Sequence, residues 1–196
     1  MAMRILVVSF LFLLGMMSSA AAVVIITPST QVQWSGSAPN NPNAGDISTI
    51  VGTSALVELY KQDVGAASDT GPFAGSYQTT FWNTATDPED ALILHVGGQP
   101  SISGTPLYLL VKDGNHDPIW YIFSLLQLTN IPANPSPHQW NGTDTIILDG
   151  FWPNAGAISH VSILGNASSV PEPASLLLLA SGLVGLGGMA WRRRNT

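Results

Sequence analysis

Asp113-x-Asn115-x-Asp117 sets three side-chain oxygens at the spacing with which a calcium-binding loop begins. A helix-loop-helix calcium site then needs glycine at the sixth position and a bidentate glutamate at the twelfth. Here those positions hold Pro118 and Ser124, so the EF-hand reading fails. Two readings of Asp113, Asn115 and Asp117 stay open: a hairpin turn, for which Asp, Gly and Asn are the favoured residues, and calcium ligation of another geometry. A second acidic group, Asp87-Pro88-Glu89-Asp90, offers carboxylates for glycosidic chemistry. That chemistry needs two carboxyl groups about 5–10 Å apart across a cleft, whereas adjacent acids around a proline equally suit a solvated loop.

Other catalytic constellations are missing. The histidines His95, His116, His138 and His160 are isolated, with no H-E-x-x-H pair for zinc. There is no G-x-S-x-G elbow for a serine nucleophile, and no cysteine. No catalytic residue and no cofactor other than calcium is expected. The aromatic residues carry the remaining binding chemistry. Trp140 in HQWNGT and Phe151-Trp152 in GFWPNAG fall in predicted loops among amides and carboxylates. They either close the end of an apolar core or present rings on which a sugar stacks.

Positioning these residues falls to short strands. Runs rich in β-branched and aromatic residues recur at Val23–Thr27, Ala55–Lys61, Ser76–Trp82, Ala91–Val96, Pro106–Lys112, Ile119–Gln127, Thr143–Leu148 and Ala157–Leu164. Gly, Pro, Asn and Asp clusters separate them, the pattern of an antiparallel sandwich or barrel. PLYLLVKDGNHDPIWYIFSL reads as strand, tight turn and strand. TDTIILDGFWPNAGAISHVSILG reads as a second pair joined by Asp149–Gly156. In the last of these strands Val161 and Ile163 share one face, and His160, Ser162 and Leu164 the other. Thr27–Asn43 reads as a long loop or an irregular edge, and no window of the middle region forms a convincing amphipathic helix, although Ala55–Asp63 offers a short one.

Charge narrows the function further. Between the two ends the basic residues are Lys61 and Lys112, set against eleven carboxylates for a formal −9. Two lysines cannot hold a phosphate backbone by counterion release, so nucleic acid is excluded as a partner. Charged residues make up 9% of the chain against about 25% in an average soluble protein. Solubility therefore rests on Ser, Thr, Asn, Gln and Gly.

Both ends read as addresses. Arg4, the apolar run Ile5–Met17 and the small residues Ser18–Ala22 have the order of a secretory signal peptide. The −3 and −1 residues are placed at Ala20 and Ala22, making residues 1–22 the leader. At the other end, Pro171-Glu172-Pro173 forces extended backbone. Ser175–Trp191 then carries no charge and as a helix would be about 26 Å long, a little short of a hydrocarbon core. Arg192, Arg193 and Arg194 follow, and basic residues stay cytoplasmic, which puts the domain before Pro171 on the outer side.

Val170-Pro171-Glu172-Pro173-Ala174-Ser175, the Leu/Gly-rich stretch and the terminal arginines together resemble the PEP-CTERM sorting signal, a tail also labelled ice-binding protein C-terminal domain. The resemblance covers residues 170–196. It implies that Pro171, Glu172 and Pro173 are recognised by an exosortase, an integral membrane cysteine protease of Gram-negative bacteria. LYLLVKDGNHDPIWYIF and WNGTDTIILDGFWPNAGAISHVSILG also resemble ectodomains that precede this tail. Ice binding calls for regular arrays such as repeated Thr-x-Thr, and an isolated triplet such as Thr143-Asp144-Thr145 makes no array.

The expectation is an all-β protein. A single antiparallel, jelly-roll-like β-sandwich spans residues 23–169, flanked by a signal helix and a transmembrane helix at 175–191. It would cross the inner membrane, be anchored transiently by the C-terminal helix, and reach the cell surface or extracellular matrix after signal peptidase and exosortase act. Its expected role is structural or adhesive and non-enzymatic, in association with exopolysaccharide. The alternative is a secreted carbohydrate-active hydrolase using loop carboxylates.

Overall fold

The computed structural model describes residues 22–29, 34–82, 89–114, 116–128, 138–152, 157–166 and 168–170, the last three as backbone only. Its strands are β1 (Val23–Ile26), β2 (Trp34–Gly36), β3 (Val57–Asp63), β4 (Tyr77–Trp82), β5 (Asp90–His95), β6 (Ser101–Ser103), β7 (Leu107–Asp113), β8 (Trp120–Ser124), β9 (Thr145–Leu148), β10 (Ile158–Gly165) and β11 (Ser168–Val170). One helix, α1 (Ala44–Val51), lies between β2 and β3. The strands form a four-stranded sheet ordered β1-β9-β5-β4 and a five-stranded sheet ordered β2-β8-β7-β10-β3. A β11-β6 ribbon completes the set.

The inner faces of the two sheets share one core. Val24 and Ile26 of β1, Ala91 and Ile93 of β5, and Ile146 and Leu148 of β9 meet Leu107, Leu109 and Val111 of β7 and Val161 and Ile163 of β10. This is the layer arrangement of a sandwich. Strand β7 explains the five-stranded sheet. LYLLV is a continuous apolar run, as expected of a strand covered on both faces, and all seven of its residues are buried. Tyr108 and Leu110 point away from the sandwich core. They join Trp120, Ile122 and Leu164 in a second apolar layer with Ile47 of α1.

Local chemistry makes α1. Asn43 Oδ1 accepts the Gly45 and Asp46 amides at 2.8 and 3.1 Å, while Asp46 Oδ2 accepts the Asn43 amide at 2.9 Å. This reciprocal capping box satisfies donors that open a helix. At the other end Gly52, with φ +70°, supplies the left-handed residue that closes it.

Several expectations are corrected. The sandwich is not purely antiparallel: β1 runs parallel to β9, with Val23 opposite Thr145 and Ile26 opposite Leu148, so the four-stranded sheet is mixed. The short helix falls at Ala44–Val51, and Val57–Asp63 is strand. The hairpin β7–β8 forms in the expected place, with Tyr108 opposite Ser124 and Lys112 opposite Trp120. The second expected pair does not: β9 lies between β1 and β5, and β10 lies in the other sheet between β7 and β3. The chain therefore changes sheets after Asp149. The expectation of flanking helices and of a transient membrane anchor is corrected as well. Among the described residues no helix is long and apolar enough to cross a membrane, and no anchored stage is carried forward. The leader up to Ala21 and the stretch 175–191 lie outside the described residues.

Candidate functional site

The residues singled out for metal or acid chemistry are engaged with other groups. Asp113 Oδ2 meets His116 Nδ1 at 2.6 Å and its Oδ1 accepts the Gly114 amide. Asp117 accepts the Ser37 hydroxyl instead. Asn115 lies outside the described residues. The structure thus ties Asp113 and Asp117 to different partners, and among the described residues no group of three or more His, Asp or Glu side chains is arranged to hold a metal ion. In the acidic loop, Asp90 Oδ1 accepts the Gly150 amide at 2.7 Å, and the Glu89 carbonyl accepts the Phe151 amide at 3.0 Å. These contacts fasten the turn after β9 to the start of β5. Asp87 lies outside the described residues.

The three loop aromatics are inside. Trp140, Phe151 and Trp152 are 2%, 0% and 7% exposed. Trp140 Nε1 donates to the Asp144 carbonyl at 2.8 Å, and Trp152 Nε1 to the Pro118 carbonyl at 2.8 Å. Phe151 meets Phe123 edge-on at 6.0 Å and Tyr121 edge-on at 5.6 Å. Of the two readings, closure of the core describes these rings; a stacking platform needs a free face that they do not have.

Sequence inspection misses a polar cluster that the five-stranded sheet assembles from three distant strands. Lys61 and Asp63 of β3, His160 of β10 and Lys112 of β7 come together because Asp63 and Lys112 flank His160 in register. Lys61 Nζ is 3.2 Å from Asp63 Oδ1, and His160 Nδ1 is 3.6 Å from the same oxygen. Burial, aided by the Lys61 charge, lowers the His160 pKa to about 4 against the pull of Asp63. Burial also presses the Lys112 ammonium below its ordinary value.

His160 is therefore neutral in the fold at pH 7 and protonated more readily in the unfolded chain. Between pH 6.5 and 4 the unfolded state binds the extra proton, so stability is full above pH 6.5 and falls as pH drops towards 4. The full shift corresponds to about 3 kcal/mol. Urea unfolding at pH 7 and pH 4.5 is expected to show His160→Gln losing less stability on acidification than the native chain.

The outer face of the four-stranded sheet carries exposed apolar groups. The register puts Val23 and Ile25, Thr145 and Ile147, Leu92 and Leu94, and Gln78, Thr80 and Trp82 on that side. Val23, Leu94 and Trp82 are 45%, 41% and 39% exposed. Exposed apolar groups this contiguous on a soluble domain mark interaction surfaces. The charge within this register is Asp90, opposite Trp82 at one end. A separate cavity of about 250 Å³ opens where β6 meets β7, lined by Ser103, Thr105, Leu126, Gln139, Trp140 and Asn141 among others, with no carboxylate among the described residues of its wall.

β11 pairs with β6, Val170 opposite Ser101, and delivers the chain to Pro171. Residues 169–194 match the family described as the PEP-CTERM protein-sorting motif. The C-terminus is a PEP-CTERM sorting signal. This motif supports export and processing by an exosortase and is consistent with signal peptidase processing. Pro171, Glu172, Pro173, Arg192, Arg193 and Arg194 all fall inside the match and outside the described residues; Ala20 also lies outside the described residues, and Ala22 is the first residue described. No curated protein and no solved structure matches the chain at a significant level, so the sorting motif is the relationship on which function is argued.

Proposed function

We propose that the chain is an exported, non-enzymatic adhesive protein that binds extracellular polysaccharide through the outer face of the four-stranded sheet. The supporting observation is the composition of that face. An exposed indole at Trp82 and the aliphatic side chains of Leu92, Leu94 and Ile147 adjoin the amide of Gln78 and the hydroxyls of Thr80 and Thr145. Sugars have an apolar ring face and a rim of hydroxyls. A surface of aromatic and aliphatic groups edged by uncharged polar ones matches both, with the ring supplying contact area at low entropic cost. The near absence of charge suits a neutral polymer. The cavity beside Trp140 does not itself favour hydrolysis, since no carboxylate is among the described residues of its wall and glycosidic cleavage requires two.

Retention in the producer's own exopolysaccharide tests the proposal. Trp82→Ala and Leu94→Ser in the full chain are expected to reduce the retained fraction about 10-fold, a loss near 1.4 kcal/mol of binding. Stability should change by no more than about 0.5 kcal/mol, as for ordinary surface positions. Unchanged retention would reject the face as the adhesive surface. Release of new reducing ends from the polymer would favour the hydrolase.

A further inference from the structure

Asp144 is a buried carboxylate, 4% exposed, whose Oδ2 lies 3.3 Å from Nε2 of the His138 imidazole. Its other oxygen, Oδ1, accepts two donors: Asn141 Nδ2 at 3.0 Å and the backbone nitrogen of Ala22 at 3.1 Å. The carboxylate has little freedom to move. Asn141 Oδ1 accepts the Thr143 and Asp144 amides at 2.9 and 2.8 Å, and the Asp144 carbonyl is held by Trp140 Nε1. A rigid loop thus aims a buried negative charge at one particular backbone nitrogen. That nitrogen belongs to the residue at which the secretory leader gives way to β1.

We propose that signal peptidase cuts between Ala21 and Ala22, and that Asp144 is the receptor for the α-ammonium group this creates. Hydrolysis adds water across the Ala21–Ala22 peptide bond. The hydroxyl completes the Ala21 carboxyl, and the Ala22 nitrogen leaves as an amine that is protonated below about pH 8. A neutral amide donor to the carboxylate in the precursor becomes a cationic ammonium donor in the mature chain, so the hydrogen bond gains the attraction of an ion pair. Ser19 and Ala21 meet the small-residue requirement at −3 and −1 as well as Ala20 and Ala22 do. The ladder decides between the two cuts. The Ala22 carbonyl accepts the Thr145 amide at 2.9 Å beside the first paired residues of β1 and β9, and cleavage after Ala22 would remove that acceptor. Removing the leader and completing the β1 edge of the sandwich are then one event.

The test is export of the full chain from a Gram-negative host, followed by N-terminal sequencing and brief acylation with an amine-reactive ester at pH 7. The mature chain is expected to begin at Ala22. Its α-amine should acylate about 10-fold more slowly than in the same chain unfolded in urea, the discrimination that 1.4 kcal/mol provides. Asp144→Asn is expected to restore most of that reactivity. If this variant does not fold, the native chain compared with its own unfolded form still decides. A mature chain that begins at any other residue overturns the assignment, as does an Ala22 amine equally reactive in both states. Retention of the leader in the cytoplasm would overturn the export reading along with it.

Discussion

Trp152→Ala is expected to destabilise the domain by about 3–5 kcal/mol, the range found when a large aromatic side chain is deleted from a core. The ring is nearly inaccessible, with centroids 5.2 Å from Tyr121 and 5.8 Å from Phe151. Deletion therefore empties a volume walled by aromatic groups that cannot all collapse into it. The indole N–H that donates to the Pro118 carbonyl is lost too. That bond ties the turn after β9 to the segment entering β8, two places that lie in different sheets. Trp152 also adopts φ +53°, a left-handed conformation that costs a residue with a Cβ roughly 1–2 kcal/mol. Its packing outweighs that cost. Trp152→Gly separates the two contributions: it relieves the backbone while losing the same ring, and should be less damaging than Trp152→Ala by up to about 1 kcal/mol. Denaturant unfolding of the three chains reads both differences. A Trp152→Ala chain of native stability that has lost polysaccharide retention would instead make the ring a contact surface.

How far the sequence disclosed this arrangement depends on the range of the signal involved. Strands such as Tyr77–Trp82 and Leu107–Asp113 announce themselves, because alternation and apolar runs are properties of consecutive residues. The three-residue strands β2, β6 and β11 do not, since three residues carry too little pattern to stand out. The helix was legible and missed: Asn43, Asp46 and Gly52 are a capping box and a C-terminal stop at the right separation, but Gly45, Ser48 and Thr49 dilute the apolar stripe by which helices are usually recognised. The parallel pairing of β1 with β9 was not legible, because nothing local in VVII states its direction. The same limit governs the surfaces. Tryptophans among polar residues at 140 and 152 allow both a buried and an exposed reading in one dimension, whereas Trp82, embedded in an alternating strand, looks ordinary. Only the register puts Trp82 on an open face, and only the order β7-β10-β3 brings Lys112, His160 and Lys61 together.

Gly142→Ala should cost as much or more, at least about 4 kcal/mol. Gly142 has φ +85°, and a Cβ built there would lie 2.1 Å from the Ile102 carbonyl oxygen. The obstacle is backbone, so no rotamer change relieves it; either the loop before β9 or β6 must move. Movement is resisted by a phenol lodged between the two. Tyr77 Oη donates to the Gly142 carbonyl at 2.8 Å and accepts the Ile102 amide at 2.7 Å. Burial raises its pKa to about 12, so the proton this bridge needs is present throughout the range in which the domain is folded. Tyr77→Phe keeps the ring but strands one buried amide and one buried carbonyl, at about 1–3 kcal/mol each. It should therefore destabilise by about 2–6 kcal/mol. Because both changes act on the Gly142–Ile102 contact, their effects should not add: in the double variant Tyr77→Phe removes a bridge that Gly142→Ala has already broken. Ile102 also lies opposite Ser169 in the β6–β11 ribbon, the last paired segment before Pro171. Loosening it should raise amide exchange at Ser168–Val170 in Tyr77→Phe more than in the β7–β10 ladder, if Tyr77 holds the ribbon that leads into the PEP-CTERM motif. Equal exchange increases across both would mean that the bridge supports the sandwich as a whole.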